Sequence, residues 1–458
     1  MMSTRTKFFF SLALYGVFSV LLFFTNFFGF NVDRELEFWP LFFIMFAISV
    51  SYGLLSAHAS AIDIKNKKII LTIALSALFF IALFFFMKSP EFILNDLYIY
   101  FFHAKIFAYY YANPYMLMPA DFMGDASLFF LKNWMNQSFN YGPLWLLLSA
   151  VPALLTANIV LGVYFLRILI LVIFFATIFA SRYLFEADMK KVFLFAVHPL
   201  MLYWVVLGGH NDIAIVFFIM LSFIFLKKEK YFFSIIFFSL SILIKYVSII
   251  FLPIFLLYIL KKTSWKHIAL YCATIAIIVF GSYAPFHAGF ASILGNETLH
   301  NPRLSSPVFS LAYGVINKSF SYDTEVFLRM KNIFIFIFII GYAVILWKRR
   351  NSHNSFHDFI KIFLWVSVWF YCVTFWFQPW YMIWLLPCLI YVSEGKKNNI
   401  FFHIFIIFYS LIFYILSYSY SSFFGLMAAL FIIAPLAFIA RMVSGYPHKR
   451  GGNFRFMV

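Results

Sequence analysis

Charge is scarce in this sequence. Only 11% of its residues are Asp, Glu, Lys or Arg, where a soluble domain carries about a quarter. Cysteine is scarce too. Cys272, Cys372 and Cys388 lie in apolar stretches and have neither metal nor disulfide spacing. Buried packing is the expected role for each. No Walker sequence, no dinucleotide glycine fingerprint and no His-Glu-x-x-His zinc pair occurs. These absences argue against ATP-driven transport and against use of a nucleotide on the cytoplasmic side. Internal repeats and low-complexity linkers are also lacking, so residues 1–458 read as one membrane domain. The first apolar run is too long for a signal core and has no small-residue cleavage site, so no cleavable signal is expected.

What the sequence has instead is apolar bulk. Hydrophobic residues make up 64% of the chain, and Phe alone occurs 69 times. Water cannot be the solvent for that much apolar surface, so the fold expected is an all-α, polytopic transmembrane helical bundle. A spanning helix takes about 20 mostly apolar residues. Spans are predicted near 8–30, 38–57, 69–87, 159–181, 192–208, 212–226, 231–246, 247–260, 268–285, 330–347, 360–377, 380–394, 399–419 and 421–440. Several are short, so tilted, broken or partial spans are among them. His198-Pro199 is expected to kink or line its helix.

The net charge of +17 is not spread as a nucleic-acid face would be. Basic residues come in short clusters between apolar runs: Lys227-Lys228 with Lys230, Lys261-Lys262, and Lys348-Arg349-Arg350. Cytoplasmic loops anchor membrane helices in this way. With both termini in the cytoplasm, most Lys and Arg fall inside while acidic residues concentrate outside. Residues 141–157 are apolar enough to enter the bilayer, yet a full span there would invert every later loop. A re-entrant or broken helix fits better, in keeping with Pro143 and Pro152. Two long external segments follow from this topology, about 88–140 and 286–329, and long loops in compact proteins usually carry function.

Four polar constellations stand out against the apolar background. Asn95-Asp96-Leu97-Tyr98-Ile99-Tyr100, followed by Asn113-Pro114-Tyr115, opens the first external segment. There Asp96 can act as a general base or as a helix cap. Gly208-Gly209-His210-Asn211-Asp212 sits at an external membrane edge. Ionisable residues at such depth are costly and are functional candidates, although Asp212 also suits a helix cap. Lys245-Tyr246 breaks the positive-inside trend; its ammonium suits a phosphate or snorkels to the interface. Phe375-Trp376-Phe377-Gln378-Pro379-Trp380-Tyr381, with Trp384 beyond it, is denser in aromatics than an interfacial belt requires. Arg303 and His300 on the second external segment are weaker candidates.

Taken in order, these elements resemble the polyprenyl-phosphate-sugar-dependent glycosyltransferases of the GT-C fold. They look most like the branches holding the bacterial polyprenol-phosphate-mannose enzymes and the first mannosyltransferase of the GPI-anchor pathway. The resemblance rests on Asp96 with Tyr98, then Asn113-Pro114-Tyr115, then Tyr141-Gly142-Pro143-Leu144. Gly209-His210-Asn211-Asp212, Lys245-Tyr246, Ala284-Pro285-Phe286 and Gln378-Pro379-Trp380-Tyr381 follow. The likeness covers about residues 90–390. It departs from many members in that the first long external loop follows the third span rather than the first.

The resemblance implies a GT-C bundle of about 11–14 membrane helices with a long first catalytic loop, and an inverting hexosyltransferase at the external face of the cell membrane. The donor would be a polyprenyl-phosphate hexose, most simply mannose, and the acceptor a lipid-linked or cell-envelope glycan. Asp96 would be the catalytic base. Tyr98, Tyr115, Tyr141, His210, Asn211, Asp212, Lys245, Arg303, Gln378, Trp380 and Tyr381 would bind substrate. No cofactor and no metal site are implied, although some members use a divalent cation. A secondary transporter or lipid flippase is the alternative, and it would be expected to show two-fold repeats and paired broken helices, which the sequence lacks.

Overall fold

A computed structural model of the chain describes residues 3–27, 35–59, 95–131, 134–286, 323–350 and 355–392, with four further positions between 309 and 316. Every regular element among the described residues is helical. In chain order these are α1 (Thr4–Phe27), α2 (Glu35–His58), α3 (Asn95–Ala108), α4 (Pro143–Leu155), α5 (Ile159–Leu184), α6 (Met189–Ala196) and α7 (Asp212–Lys227). Then come α8 (Tyr231–Ile244), α9 (Leu252–Leu260), α10 (Trp265–Tyr283), α11 (Thr324–Lys348), α12 (Phe356–Val373) and α13 (Leu386–Val392).

Length and apolarity alone qualify four of the described segments to cross a membrane: α5, the stretch Trp265–Phe286, α11 and α12. A fifth results if α6 and the π-helix Met201–Leu207 form one broken span, bent by 57°. The bend falls at His198-Pro199, where the sequence predicts a kink. Several long apolar helices make this an integral membrane protein.

Helix ends fall where local chemistry puts them. The Asn158 side chain accepts from the backbone N–H groups of Val160 and Leu161 and starts α5. Asp188 does the same for α6, and Asp323 for α11. Each satisfies donors that a helix start leaves without partners. The Asp323 cap places the start of α11 at Thr324, so the predicted second external segment is helical at its end. The predicted spans 247–260 and 380–394 both begin as 3₁₀ turns, Tyr246–Phe251 and Pro379–Leu385. The predicted spans 69–87, 399–419 and 421–440 lie outside the described residues.

Helix α4 has 13 residues, about 20 Å of rise against a hydrocarbon core of about 30 Å. It is too short to cross alone, as the re-entrant reading expects. One of its faces carries Trp145, Leu146, Ser149 and Ala153 inward, and the other exposes Leu147, Val151 and Leu154. The cysteines differ from one another: Cys388 is buried, Cys372 half-buried and Cys272 exposed. Buried packing therefore does not hold for Cys272. Its helix α10 turns an apolar face outward, with Leu270, Ile277 and Phe280 exposed.

Three features fix the end of the bundle where α7 begins. Arg167, 2% exposed on α5, donates through Nη2 to the carbonyls of Val206 (3.2 Å) and Leu207 (2.5 Å). It thereby ties off the last carbonyls of the π-helix just before the loop 208–211. Gly209 then takes φ +64°, a backbone region that costs glycine little, with the Leu97 side chain packed where a Cβ would stand. Gly142 donates its N–H to the Ile244 carbonyl, 3.0 Å away. A Cβ on Gly142 would lie 2.0 Å from the Leu243 carbonyl oxygen, so only glycine lets the start of α4 meet the end of α8.

Candidate active site

Asp96 lies in the first turn of α3, where the helix dipole favours a carboxylate. Its side chain keeps 21% of its surface accessible, so a ligand can reach it. Oδ2 of Asp96 stands 3.2 Å from Nδ1 of His210. This is a charge contact whose alignment falls short of a hydrogen bond. The Tyr100 hydroxyl, one helical turn on, approaches the same oxygen at 3.4 Å. Among the described residues nothing else touches the carboxylate, and Oδ1 has no protein partner there. Burial pushes the Asp96 carboxyl up, but the contact with His210, the charges of His210 and Lys245 and the Tyr100 hydroxyl outweigh it. The carboxyl is held below its ordinary value, ionised at neutral pH.

Tyr100 is the hub. Its hydroxyl lies 3.4 Å from Asp96, 3.3 Å from Oδ1 of Asn211 and 3.4 Å from the Tyr141 hydroxyl. These distances exceed the usual O–H···O range, which ends near about 3.0 Å, so the cluster is loose. Tyr100 has one proton to give; it accepts from Tyr141 and donates to Asp96 or to Asn211. Asn211 is fully buried, and its Nδ2 has no partner among the described residues. Whichever way round the amide sits, one of its polar atoms is left for a ligand.

The second carboxylate is held differently. Asp212, the first residue of α7, is fully buried. Trp384 Nε1 donates to its Oδ1 at 2.9 Å, and Lys245 Nζ approaches both oxygens at 3.3 and 3.4 Å. Lys245 occupies the extended break between α8 and the following 3₁₀ turn. Three rings surround its ammonium: Tyr381 at 4.5 Å, Tyr141 at 5.5 Å and Trp384 at 5.9 Å. Ring faces attract a cation, so charge and aromatic faces share the work of holding it. Trp380 completes this wall by stacking on the His210 ring, with centroids 3.9 Å apart and planes at 17°.

The structure thus gathers seven of the predicted residues: Asp96, Tyr141, His210, Asn211, Asp212, Lys245 and Trp380, with Tyr381 under the Lys245 ammonium as an eighth. Others stand apart. Tyr98 lies two residues from Asp96, which is about 200° round the helix, and stacks on Phe130 instead. Tyr115 is buried among Phe139, Tyr283 and Phe286 and donates to the Tyr141 carbonyl. It braces the strand of chain that carries Tyr141. Gln378 is half-buried at the head of the 3₁₀ turn Pro379–Leu385, where its carbonyl accepts from the Tyr381 N–H. Arg303 lies outside the described residues.

Tyr100 and Trp384 belong to the cluster; the sequence named both within its constellations but gave neither a binding role. The signal for Tyr100 is its i,i+4 spacing from Asp96, which puts the two on one face. Two other carboxylates of the first loop do structural work. Asp121 accepts from the Met118 N–H. Asp125 pairs with Lys105 at 2.6 Å and accepts from Tyr110 and the Ser127 N–H. Among the described residues no three His, Cys, Asp or Glu side chains converge to hold a metal ion.

This is a polytopic helical membrane protein in which Asp96 meets His210 and Asp212 meets Lys245 in one cluster. Residues 43–261, just under half of the chain, match the family described as alpha-(1->6)-mannopyranosyltransferase, N-terminal domain. The matched stretch contains Asp96, Tyr100, Tyr141, the 208–212 loop and Lys245, whereas Trp380, Tyr381 and Trp384 lie beyond it. No curated protein matches the chain.

Proposed function

We propose that the protein transfers mannose from a polyprenyl-phosphate carrier to a lipid-linked or cell-envelope glycan at the external face of the cell membrane. The observation that carries this reading is the pairing of an ionised, reachable carboxylate, Asp96, with a caged ammonium, Lys245, in one cluster. Asp96 removes the proton of an acceptor hydroxyl as that oxygen attacks the anomeric carbon. Lys245 faces the phosphate that departs. The leaving group carries a single phosphate, so one ammonium with polar neighbours suffices as its counter-charge and no metal ion is invoked. Asp212 is fully buried and engaged by Lys245 and Trp384. It is therefore poorly placed as a nucleophile, which favours one displacement with inversion. If the product is the α-linkage that the family's description names, inversion requires a β-linked donor.

Purified protein should turn over β-mannosyl polyprenyl phosphate with a mannoside acceptor and leave GDP- and UDP-sugars untouched. Direct transfer from a nucleotide sugar by enzyme free of lipid donor would refute the donor assignment. Abolition of activity by EDTA would overturn only the metal-free part.

A further inference from the structure

Charge balance in this reaction leaves a question that Asp96 alone does not answer. The acceptor hydroxyl loses a proton, and the departing phosphate gains a second negative charge that a proton would neutralise. The residue beside Asp96 has the geometry for supplying it. His210 presents Nδ1 to Oδ2 of Asp96 at 3.2 Å. Its ring is 4% exposed and is fixed from one face by Trp380 at 3.9 Å. Nε2, on the opposite side of the ring, has no hydrogen-bond partner among the described residues. Gly208 packs beside that edge and keeps any side chain off it. A Cβ on Gly208 would lie 2.9 Å from Cδ2 and 3.2 Å from Nε2 of His210, and glycine leaves this space empty.

We infer that Asp96 and His210 form one acid–base dyad, in which Asp96 accepts the acceptor's proton while Nε2–H of His210 protonates the leaving phosphate; this rests on the donor reading given above. The step requires the pair to begin as carboxylate and imidazolium. The acceptor O–H bond breaks, with its proton passing to the free Oδ1 of Asp96 as the oxygen bonds to the anomeric carbon. The bond from that carbon to the phosphate oxygen breaks, and the oxygen takes the proton from Nε2. The pair is then carboxylic acid and neutral imidazole, with its proton count unchanged. After product leaves, Oδ1–H of Asp96 gives its proton to water and Nε2 of His210 takes one from water, which restores the starting state. Trp380 and the Asp96 contact are what hold the ring in the orientation this needs.

The test compares two donors in three enzymes. One donor is a short isoprenyl mannosyl phosphate, whose leaving group benefits from protonation. The other is a mannosyl dialkyl phosphate, whose departing anion is that of a strong acid and needs no proton. An alkyl mannoside serves as acceptor, and kcat/KM is measured for wild type, His210→Gln and Asp96→Asn. General acid catalysis is typically worth about 10²–10⁴-fold. His210→Gln should therefore lose about 10²-fold or more with the isoprenyl donor and less than about 10-fold with the dialkyl donor. Asp96→Asn should be impaired with both. The ratio between donors within one variant does not depend on how much of that variant is folded. An equal loss on both donors in His210→Gln would overturn the dyad and leave His210 as a positioning group. Failure of the wild type to use the isoprenyl donor would instead overturn the donor reading, and the dyad with it.

Discussion

Asp96 and Asp212 sit in one cluster, yet their surroundings suit them to different work. Asp96 is reachable and has one oxygen without a protein partner, whereas Asp212 is sealed by Lys245 and Trp384. Asp96→Asn keeps size and removes basicity, so turnover should fall about 10²–10⁴-fold with the protein folded and donor still bound. If Asp96 only capped α3, Asn would replace it well, since the two cap about equally. Near-normal turnover, measured on purified protein, would decide for the cap. Asp212→Ala should act on stability first. It leaves the Lys245 ammonium without its counter-charge in a largely buried place, a change that costs about 3–5 kcal/mol. Adding Lys245→Met should recover part of that loss in detergent thermal unfolding, and additive losses would refute the pairing. The sequence made the residue types of this cluster legible through their polarity in an apolar setting. It did not separate Tyr98 from Tyr100, because the choice depends on where Asp96 falls in the first turn of α3. The role of Trp384 was not legible because an indole N–H reaching a carboxylate 172 residues away leaves no local pattern.

At the scale of elements, the helices were legible wherever apolar runs were long and capped, as with α5 and α11. The broken ones were harder to place. The 3₁₀ turns at Tyr246–Phe251 and Pro379–Leu385 have the same apolar composition as the helices they lead into, and only tertiary contact separates the two. The joint between α4 and α8 depends on Gly142, whose absent side chain admits the Leu243 carbonyl. Gly142→Ala forces backbone against backbone, with no flexible side chain to yield, and overpacking of this kind costs about 1–3 kcal/mol or more. Tyr141 is the preceding residue and its ring flanks Lys245, so Gly142→Ala should lower both melting temperature and donor affinity. An unchanged affinity would show that the joint does not position the cluster. The first loop has its own lock in Lys105–Asp125. Burial pushes the Asp125 carboxyl up, but Lys105, Ser127 and Tyr110 more than offset this and hold it down to about 2. A depressed folded value means the lock stabilises fully above the unfolded value of about 3.9 and is lost as pH falls through the folded one. The stability gap between wild type and Asp125→Asn should be constant from neutral pH down to about 4, then close on further acidification. A gap that persists at the lowest pH would refute the lock.

Across the whole molecule the candidate site and the basic clusters lie at opposite ends of the same helix. α7 runs from Asp212 to Lys227, about 24 Å at 1.5 Å per residue. At its far end Lys227 pairs with Glu186 at 2.6 Å and lies over the Tyr391 ring, while Lys191 donates to the Tyr391 carbonyl. Lys228 is exposed there. Lysines gathered at the end away from the site are what a positive-inside protein presents to the cytoplasm, so the cluster should face outward and the Lys227 end the cytoplasm. The test needs a background without native thiols, and Cys272 is exposed, so Cys272→Ser is required along with Cys372→Ala and Cys388→Ala. Met123, 82% exposed in the first loop, and Lys228 are then replaced by cysteine one at a time. A membrane-impermeant maleimide should label Met123→Cys in intact cells and Lys228→Cys only after permeabilisation. The reverse pattern would put Asp96 and Lys245 on the cytoplasmic side, within reach of nucleotide sugars, and would remove the physical reason for a lipid-linked donor.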